Sequence, residues 1–432
     1  MFRFLCCVSL FSFLSVQAAK KPNIVMIMAD DLGYEVIGAN GCTSYKTPEL
    51  DALAAKGLRF TNCFSNPICT PSRVKLMTGM SNVRNYVKFG LLPTTEITFG
   101  NLLKKAGYKT CIAGKWQLGS KTGLPQKFGF DEACLWQHTR GRSRQGGYDT
   151  RFTSPRLEIN NEEKDFNNGE FGPDIINKFV LDFIEKNKEE PFFVYYPMLL
   201  THCPFIPAPG HPDYDSKDPG SKTYKGDAKY YGSMDNYCDK LVGRVKAKLD
   251  ELGIADNTLL IFTGDNGTDK PVVSVMNGKK IPGGKGSMTD NGTRVPLIIS
   301  WPSYIKEAKV VNDLVDFSDF LPTFCELAGV ELPSEKTFDG VSLVPTLKGN
   351  GSRNKRHVYI WYEGKTLART EKFMYRVQGG KAAFFSYSGP YEPSEMKIAD
   401  LSGDAKEAYD ELKKVTEEMA KTRPGHLPKP KK

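Results

Sequence analysis

The chain has 432 residues, of which 40% are hydrophobic and 25% charged, and its formal net charge is +9. This composition indicates a globular protein with a large core and excludes collagen-like and wholly disordered chains. A modest positive charge suits anionic ligands. The lysines are scattered, however, and no basic segment is interleaved with aromatic residues, so we expect no nucleic-acid partner.

The N-terminal residues have the pattern of an export signal. Arg3 precedes an apolar stretch at residues 5–16, and Val16-Gln17-Ala18 resembles a cleavage site. We therefore predict a signal peptide at residues 1–19, cleavage near Ala18 or Ala19, and export to the periplasm or the extracellular space. No later segment is long and apolar enough to predict a membrane span.

Ten cysteines are present, and Cys6 and Cys7 would leave with the signal peptide. The others are irregularly spaced and contain no Cys-x-x-Cys pair, so they do not predict a zinc site. One or two disulfides could form in an oxidising compartment, and the sequence leaves their pairing open.

Continuous apolar runs predict strands that are buried on both faces. They occupy residues 23–29, 192–200 and 258–263, with further strands at 109–113 and 294–301. Helices are predicted at residues 48–57, 69–79, 96–106, 174–188, 228–252 and 315–328. This alternation predicts an α/β fold in which a large, mostly parallel sheet lies between helices. Residues 204–226 are rich in Pro, Gly, Asp and Tyr and predict a long surface loop, a feature that is often functional.

The pattern changes beyond residue 345. Short strands are predicted at residues 358–362, 373–377 and 382–387, followed by a charged amphipathic helix at 404–421. We therefore predict a main domain at residues 20–345. A smaller C-terminal subdomain with an antiparallel sheet follows at residues 346–432, and its last residues form a disordered tail.

Polar residues follow several of the predicted strands. These residues are Asp30 and Asp31, Lys115, His202, and Asp265 with Asn266. Ligands bind past the carboxyl ends of the strands in a parallel sheet, so we expect these side chains to form one site. Two adjacent carboxylates past a buried strand are costly unless a cation or hydrogen bonds compensate their charge.

A second motif is Cys69-Thr70-Pro71-Ser72-Arg73, which precedes a predicted helix. Pro71 suits the first helical turn, where its missing N–H costs little. Cys69 and Arg73 are four residues apart and would share a helix face. Free N–H groups at the helix start would favour an anion beside the cysteine.

This motif resembles the Cys-x-Pro-Ser-Arg signature of the type I, formylglycine-dependent sulfatases of the alkaline phosphatase superfamily. Four further motifs resemble that family in the same order along the chain: Ala29-Asp30-Asp31-Leu32-Gly33; Ala106-Gly107-Tyr108 with Gly114-Lys115-Trp116; Gly264-Asp265-Asn266-Gly267; and Gly284-Lys285-Gly286 with Arg294-Val295-Pro296. The resemblance implies that residues 20–345 are a sulfatase catalytic domain and that Cys69 is oxidised to formylglycine by a maturation enzyme.

The resemblance also implies a cation site. Asp30, Asp31, Asp265 and Asn266 would bind Ca²⁺, or Mg²⁺ instead, and the oxidised Cys69 would complete the shell. Carboxylate and amide oxygens suit both ions. One oxygen of the formylglycine hydrate would attack sulfur and the substrate alcohol would leave. Elimination of sulfate would then restore the aldehyde.

The same resemblance assigns roles to the remaining residues of the site. Arg73 would neutralise and orient the oxygens on Cys69, and Lys115 and Lys285 would bind sulfate oxygens and stabilise charge in the transition state. His202 would donate a proton to the leaving alcohol or bind sulfate. Cys69, Arg73, Lys115, His202 and Lys285 are therefore the predicted catalytic residues.

The sequence departs from the family pattern at two places. The family has Gly-Lys-Trp-His-Leu-Gly, with the histidine as base for the elimination, whereas this chain has Gln117, which cannot take a proton at neutral pH. His138 is the nearest histidine in sequence that could substitute, and we include Gln117 and His138 among the predicted substrate-binding residues. The second departure is Asp290-Asn291-Gly292-Thr293, where the family has Glu-Gly-Gly before Arg-Val-Pro.

Our leading hypothesis is an exported sulfatase that acts on sulfated carbohydrates, with aryl sulfates as test substrates. One alternative is a phosphoester or phosphonate hydrolase on the same fold. Phosphatase relatives would show Ser or Thr as nucleophile and zinc-type His ligands, whereas the chain has only five histidines and none in paired metal spacing. A second alternative, raised by Gln117, is a non-catalytic protein that binds sulfated glycans.

Overall fold

A computed structural model describes residues 21–137, 147–351 and 353–429. The predicted signal peptide at residues 1–19 and His138 lie outside these residues. Among the helices formed by the described residues, none is both long and apolar enough to cross a bilayer.

The main sheet has ten strands. Numbered along the chain, they are β1 (Asn23–Ala29), β2 (Leu58–Phe64), β3 (Lys109–Trp116), β4 (Glu132–Gln137), β5 (Arg156–Ile159), β6 (Glu162–Asp165), β7 (Phe192–Pro197), β8 (Thr258–Gly264), β11 (Arg294–Ser300) and β12 (Lys309–Asp316). The hairpin of β9 (Val273–Met276) and β10 (Lys279–Pro282) stands apart from this sheet.

The strands lie in the order β12-β2-β11-β8-β1-β7-β3-β4-β5-β6. The five central strands, from β8 to β4, run parallel to one another, and β11 and β5 run antiparallel to their neighbours in this group. The predicted α/β class with a large, mostly parallel sheet is confirmed. The carboxyl ends of β8, β1, β7 and β3 therefore meet at one edge of the sheet.

Alternate residues of β1 pack into two different hydrophobic clusters, one on each face of the sheet. Ile24 and Met26 contribute to the first cluster, and Val25 and Ile27 to the second. This explains the continuous apolar run in the sequence, because a strand covered on both faces has no side open to water.

Helices cover both faces. One face carries α2 (Cys69–Thr78), α4 (Phe99–Lys105), α9 (Phe320–Ala328) and α11 (Gly403–Lys421), and the other carries α1 (Pro48–Ala54), α6 (Gly172–Lys186) and α7 (Tyr231–Glu251). Shorter helices are α3 (Asn82–Asn85), α5 (Leu124–Lys127), α8 (Asp290–Thr293) and α10 (Val344–Lys348). Within residues 204–226 the structure has no helix or strand, as the sequence predicts.

The helix predicted at residues 315–328 is wrong in its first part. Val315 and Asp316 end strand β12, which pairs with β2. The chain then forms a 3-10 turn, Phe317–Asp319, whose first N–H groups are capped by the Asp316 side chain. Lys75 binds Asp316 at 2.7 Å, so a buried ion pair fixes the change from strand to helix.

The C-terminal residues form a separate antiparallel sheet, as predicted. Its strands are β13 (Val358–Tyr362), β14 (Lys365–Arg369), β15 (Phe373–Gln378), β16 (Lys381–Tyr387) and β17 (Pro393–Met396), and α11 packs against β14 and β15. The sheet also contacts the chain near Cys69, because Asn66 Nδ2 donates to the Trp361 carbonyl and Lys75 Nζ to the Tyr359 carbonyl, each at 2.8 Å. The domain boundary at residue 345 stays a prediction.

The cysteines of the described residues are all buried thiols. They are Cys42, Cys63, Cys69, Cys111, Cys134, Cys203, Cys238 and Cys325. These eight cysteines form no disulfide with one another in this structure.

Candidate active site

The predicted polar residues meet at the carboxyl edge of the main sheet. Asp30 and Asp31 directly follow β1, and Asp265 and Asn266 directly follow β8. Strand β3 extends to Trp116, three residues beyond the predicted end, so Lys115 lies within the strand rather than after it. His202 follows β7 after a short turn. All of these side chains are buried.

Cys69 begins helix α2, and all ten residues of that helix are buried. The Cys69 Sγ atom lies 3.4 Å from Asp30 Oδ1 and 3.8 Å from Asp31 Oδ1. Lys115 Nζ also lies 3.4 Å from this sulfur. The helix therefore presents Cys69 to the residues that follow β1 and β3.

Each carboxylate of the site is paired with a cation. Lys115 Nζ lies 2.6 Å from Asp30 Oδ2, and Lys285 Nζ lies 2.6 Å from Asp31 Oδ2. Arg73 Nη2 lies 2.8 Å from Asp265 Oδ2. The structure thus places Arg73, Lys115 and Lys285 around Cys69, with each positive charge compensated by one carboxylate.

The carboxyl groups differ in pKa because they share one small volume. Burial raises the pKa of Asp30, but the fixed cations Lys115, Arg73 and Lys285 together outweigh burial and hold that pKa well below its usual value. Burial together with the Asp30 charge raises the pKa of Asp265 to about 7. Burial and the Asp265 charge also raise the pKa of the Cys69 thiol well above its usual value. An unmodified Cys69 would therefore be a poor nucleophile, since the thiolate is the reactive form.

The carboxylate and amide oxygens of the site fit a hard divalent cation. One oxygen each of Asp30 and Asp31, the Cys69 sulfur and one His202 ring nitrogen lie within 4.8 Å of one another. The Asn266 side-chain nitrogen donates to Asp31 Oδ1 at 2.8 Å, which leaves Asn266 Oδ1 buried and without a hydrogen-bond partner among the described residues. An oxygen cluster with one unpartnered amide oxygen is the arrangement that Ca²⁺ or Mg²⁺ would use.

His202 lies beside the site and has a partner that the sequence analysis did not identify. Arg151 Nη1 lies 2.6 Å from His202 Nδ1, and the other ring nitrogen, Nε2, lies 3.6 Å from Asp31 Oδ2. Burial, Lys285 and Lys115 lower the pKa of His202 well below its usual value, which favours the neutral ring. Arg151 precedes β5 in an irregular segment, where no apolar pattern or motif draws attention to it.

The two departures from the family pattern have different surroundings. Gln117 directly follows β3 and is buried, and within the described part of the chain neither its Oε1 nor its Nε2 has a hydrogen-bond partner. Asp290 instead accepts a hydrogen bond from Arg294 Nε at 2.8 Å and also binds Arg369. Asp290 therefore joins the main domain to the C-terminal sheet, while Gln117 adds no charge to the site.

Comparisons with known proteins agree with this geometry. The family model described as "Sulfatase" matches residues 22–330, and the model described as "N-sulphoglucosamine sulphohydrolase, C-terminal" matches residues 284–423. N-acetylgalactosamine-6-sulfatase of Mus musculus is 33% identical over 393 residues, which cover 83% of this chain and 72% of that protein. Arylsulfatase A of Bos taurus is 32% identical over 453 residues, with coverage of 93% and 85%.

Solved structures with the same fold include sulfatases and a carbohydrate complex. Ps i-CgsB in complex with k-i-k-neocarrahexaose is 25% identical with a TM-score of 0.75, and the match covers 95% of each chain. PsFucS1 sulfatase from Pseudoalteromonas sp. is 26% identical with a TM-score of 0.69, covering 94% of this chain and 91% of that one. The chain therefore belongs to the sulfatase family and is a hydrolase of sulfuric esters.

Proposed function

We propose that this protein removes sulfate from sulfated carbohydrates and that it uses a formylglycine made from Cys69. The observation that carries the proposal is the set of three cationic side chains around Cys69. Arg73, Lys115 and Lys285 converge there from a helix, a strand and a loop, and each is held by a carboxylate within 2.8 Å. Fixed cations in a buried site stabilise a sulfate group and the charge that develops on it without first having to reorganise.

The residues around Cys69 then have separate tasks. Arg73 lies one helical turn after Cys69 and would orient the oxygens that formylglycine carries in place of Sγ. Lys115 lies 3.4 Å from Sγ and would contact the sulfate bound there. Lys285 Nζ donates to Asp31 Oδ2 at 2.6 Å and would contact the same sulfate. A formylglycine hydrate would supply the nucleophilic oxygen and, because it has a second hydroxyl group, a route for release of sulfate.

Asp30, Asp31, Asp265 and Asn266 would hold the cation, for which we propose Ca²⁺ with Mg²⁺ as the alternative. The unpartnered Asn266 Oδ1 supports this assignment. When bound, such an ion would lower the pKa of an oxygen in its shell and orient it.

The choice of a carbohydrate substrate has two supports. Tyr224 belongs to the long loop at residues 204–226, has an exposed fraction of 55%, and its ring lies 6.3 Å from the His202 ring. An exposed aromatic ring beside a charged site can pack against a sugar ring. The second support is similarity, because one related structure holds k-i-k-neocarrahexaose and one relative is named N-acetylgalactosamine-6-sulfatase.

Export is part of the proposal. The N-terminal pattern predicts a signal peptide, and sulfated polysaccharides occur outside the cell, so we propose a periplasmic or extracellular location. A formylglycine-generating enzyme would then be an obligatory partner of the chain before or during export.

Mass spectrometry of the Cys69 peptide from the native host, followed by sulfate release from defined sulfated oligosaccharides, tests the proposal. We expect formylglycine at position 69, many turnovers per enzyme, and no turnover by Cys69→Ala. Matched phosphate esters provide the control for specificity. Faster release of phosphate than of sulfate would contradict the proposal, as would binding of the glycan without release of sulfate.

A further inference from the structure

The environment of His202 is unusual because its Nδ1 atom faces a guanidinium group. Arg151 Nη1 lies 2.6 Å from Nδ1 and also donates to the Cys203 carbonyl oxygen. The Arg151 side chain is buried, and its guanidinium carbon lies 4.2 Å from the centre of the Trp136 ring. Stacking of this kind fixes the plane of a guanidinium group. Arg151 therefore has a defined orientation relative to His202.

A guanidinium group can donate hydrogen bonds but cannot accept them. A close contact with Arg151 Nη1 is therefore favourable only if His202 Nδ1 is an acceptor. A neutral imidazole carries its hydrogen on one nitrogen only, so the hydrogen must then lie on Nε2. Nε2 is the nitrogen that faces the site, 3.6 Å from Asp31 Oδ2.

We propose that Arg151 is a positioning residue that keeps the hydrogen of His202 on Nε2 and directs it into the active site. His202 then donates a hydrogen bond to an oxygen of the bound sulfate ester. It cannot be a ligand of the cation, because a histidine that binds a metal through Nε2 needs a hydrogen on Nδ1 and an acceptor for it. This inference rests on the proposed function only for the identity of the bound ester.

The Cys203 carbonyl group provides the competing arrangement. Its oxygen lies 2.5 Å from His202 Nδ1 and can only accept hydrogen bonds. Without Arg151, this oxygen would stabilise a hydrogen on Nδ1, and Nε2 would then present a lone pair to Asp31 and to the sulfate oxygens. Arg151 prevents this by donating to both acceptors at once. Its removal is therefore expected to change the tautomer of His202 rather than only loosen the ring.

NMR spectroscopy of the mature protein labelled with ¹⁵N-histidine tests this inference without any need for turnover. In the wild type we expect His202 to carry a hydrogen on Nε2 and none on Nδ1. In Arg151→Met we expect the hydrogen to move to Nδ1, whereas Arg151→Lys, which keeps a donor, should restore the wild-type tautomer. Arg376→Met removes a guanidinium group that stacks on Phe385 in the C-terminal sheet and serves as the matched control.

Activity provides a second measurement. We expect kcat/KM for a sulfated oligosaccharide to fall about 10- to 100-fold in Arg151→Met and to recover in part in Arg151→Lys, as is typical for residues that orient a site residue. A hydrogen on Nδ1 of His202 in the wild type would overturn the inference, and this spectrum is decisive even if Arg151→Met fails to fold. An unchanged tautomer in a folded Arg151→Met protein would also overturn it. A wild type with the expected tautomer that releases no sulfate would instead contradict the proposed function alone.

Discussion

Buried carboxyl groups occur in two regions of this molecule, and the groups that lie next to them differ between the two regions. In the candidate active site, Asp30, Asp31 and Asp265 each lie within 2.8 Å of a cationic side chain. In helix α7, the buried Asp235 has no hydrogen-bond partner for either oxygen among the described residues. Its neighbour Asp239 accepts hydrogen bonds from the backbone N–H groups of Glu49 and Leu50 at 3.0 and 2.8 Å.

The pKa directions follow from this difference. Burial and the nearby Asp239 raise the pKa of Asp235 well above its usual value, and burial raises the pKa of Asp239 to about 6. The pKa of Asp30 moves in the opposite direction because Lys115 and the other nearby cations together outweigh burial. Burial alone therefore raises the pKa of a carboxyl group, whereas at Asp30 several fixed cations together outweigh burial and keep the carboxylate charged.

The largest effect is expected where the compensating cation is removed from the site. Lys115→Met should lower kcat/KM for sulfate esters about 100- to 1,000-fold, because it removes both the partner of Asp30 and the contact to sulfate that we propose. Steady-state kinetics measures this loss, and Lys105→Met, which changes an exposed lysine of α4, is the control. Retention of more than a tenth of the activity would show that Arg73 and Lys285 are sufficient for catalysis without Lys115.

The next effect concerns the cation itself. In the Cys69→Ala protein, Ca²⁺ at 100 times its dissociation constant should stabilise the fold by about 2.7 kcal/mol relative to a chelator. Thermal unfolding with and without Ca²⁺ measures the difference. Asp235→Asn should respond to Ca²⁺ as its parent does, whereas Asp265→Asn should respond less. Equal responses of all three proteins would place the ion elsewhere.

A smaller effect is expected in helix α7, where a substitution should stabilise the protein. Asp235→Asn should raise the free energy of unfolding by roughly 2 kcal/mol at pH 8, since it removes a buried carboxyl group without a partner. The folded-state pKa of Asp235 lies above the unfolded value, so the wild type loses stability as pH rises between them. The gain from the substitution should therefore be smaller at pH 5. Denaturant unfolding at both pH values measures it, and a gain that does not depend on pH would contradict this reading.

The smallest effect is expected at an exposed ion pair. Lys178 Nζ lies 2.7 Å from Asp182, nearly the same distance as Lys115 from Asp30, but both side chains are exposed. Lys178→Met should change the free energy of unfolding by less than about 0.5 kcal/mol because water screens the pair. A change above 1 kcal/mol in the same unfolding assay would mean that distance matters more than burial.

The sequence could predict most of the site because the chain follows simple rules there. Asp30, Asp31, Asp265 and Asn266 each follow a continuous apolar run, and parallel strands bring the ends of such runs together. Arg151 could not be found in this way, since it lies in an irregular segment and bonds to His202, 51 positions away. The sequence shows that Gln117 is polar, but it could not show that the Gln117 side chain is buried.

The secondary structure shows the same difference between features that the sequence could predict and features that it could not. Some strands that the sequence does not predict are short and charged, such as β6 (Glu162–Asp165), all of whose residues are exposed, and such a strand has no apolar face for a pattern to reveal. Val315 and Asp316 were assigned to a helix because their apolar neighbours continue into α9. Pairing with β2 decides their conformation, and this pairing involves residues about 250 positions earlier in the chain.

The burial of helix α2 also sets an order of events during biosynthesis. All ten of its residues are buried, so a modifying enzyme could not take the Cys69 peptide into its own active site once the protein has folded. The oxidation that we propose for this cysteine would therefore take place while the chain is newly made and still open. A host that lacks the modifying enzyme would produce a well-folded protein whose defect could not be repaired later.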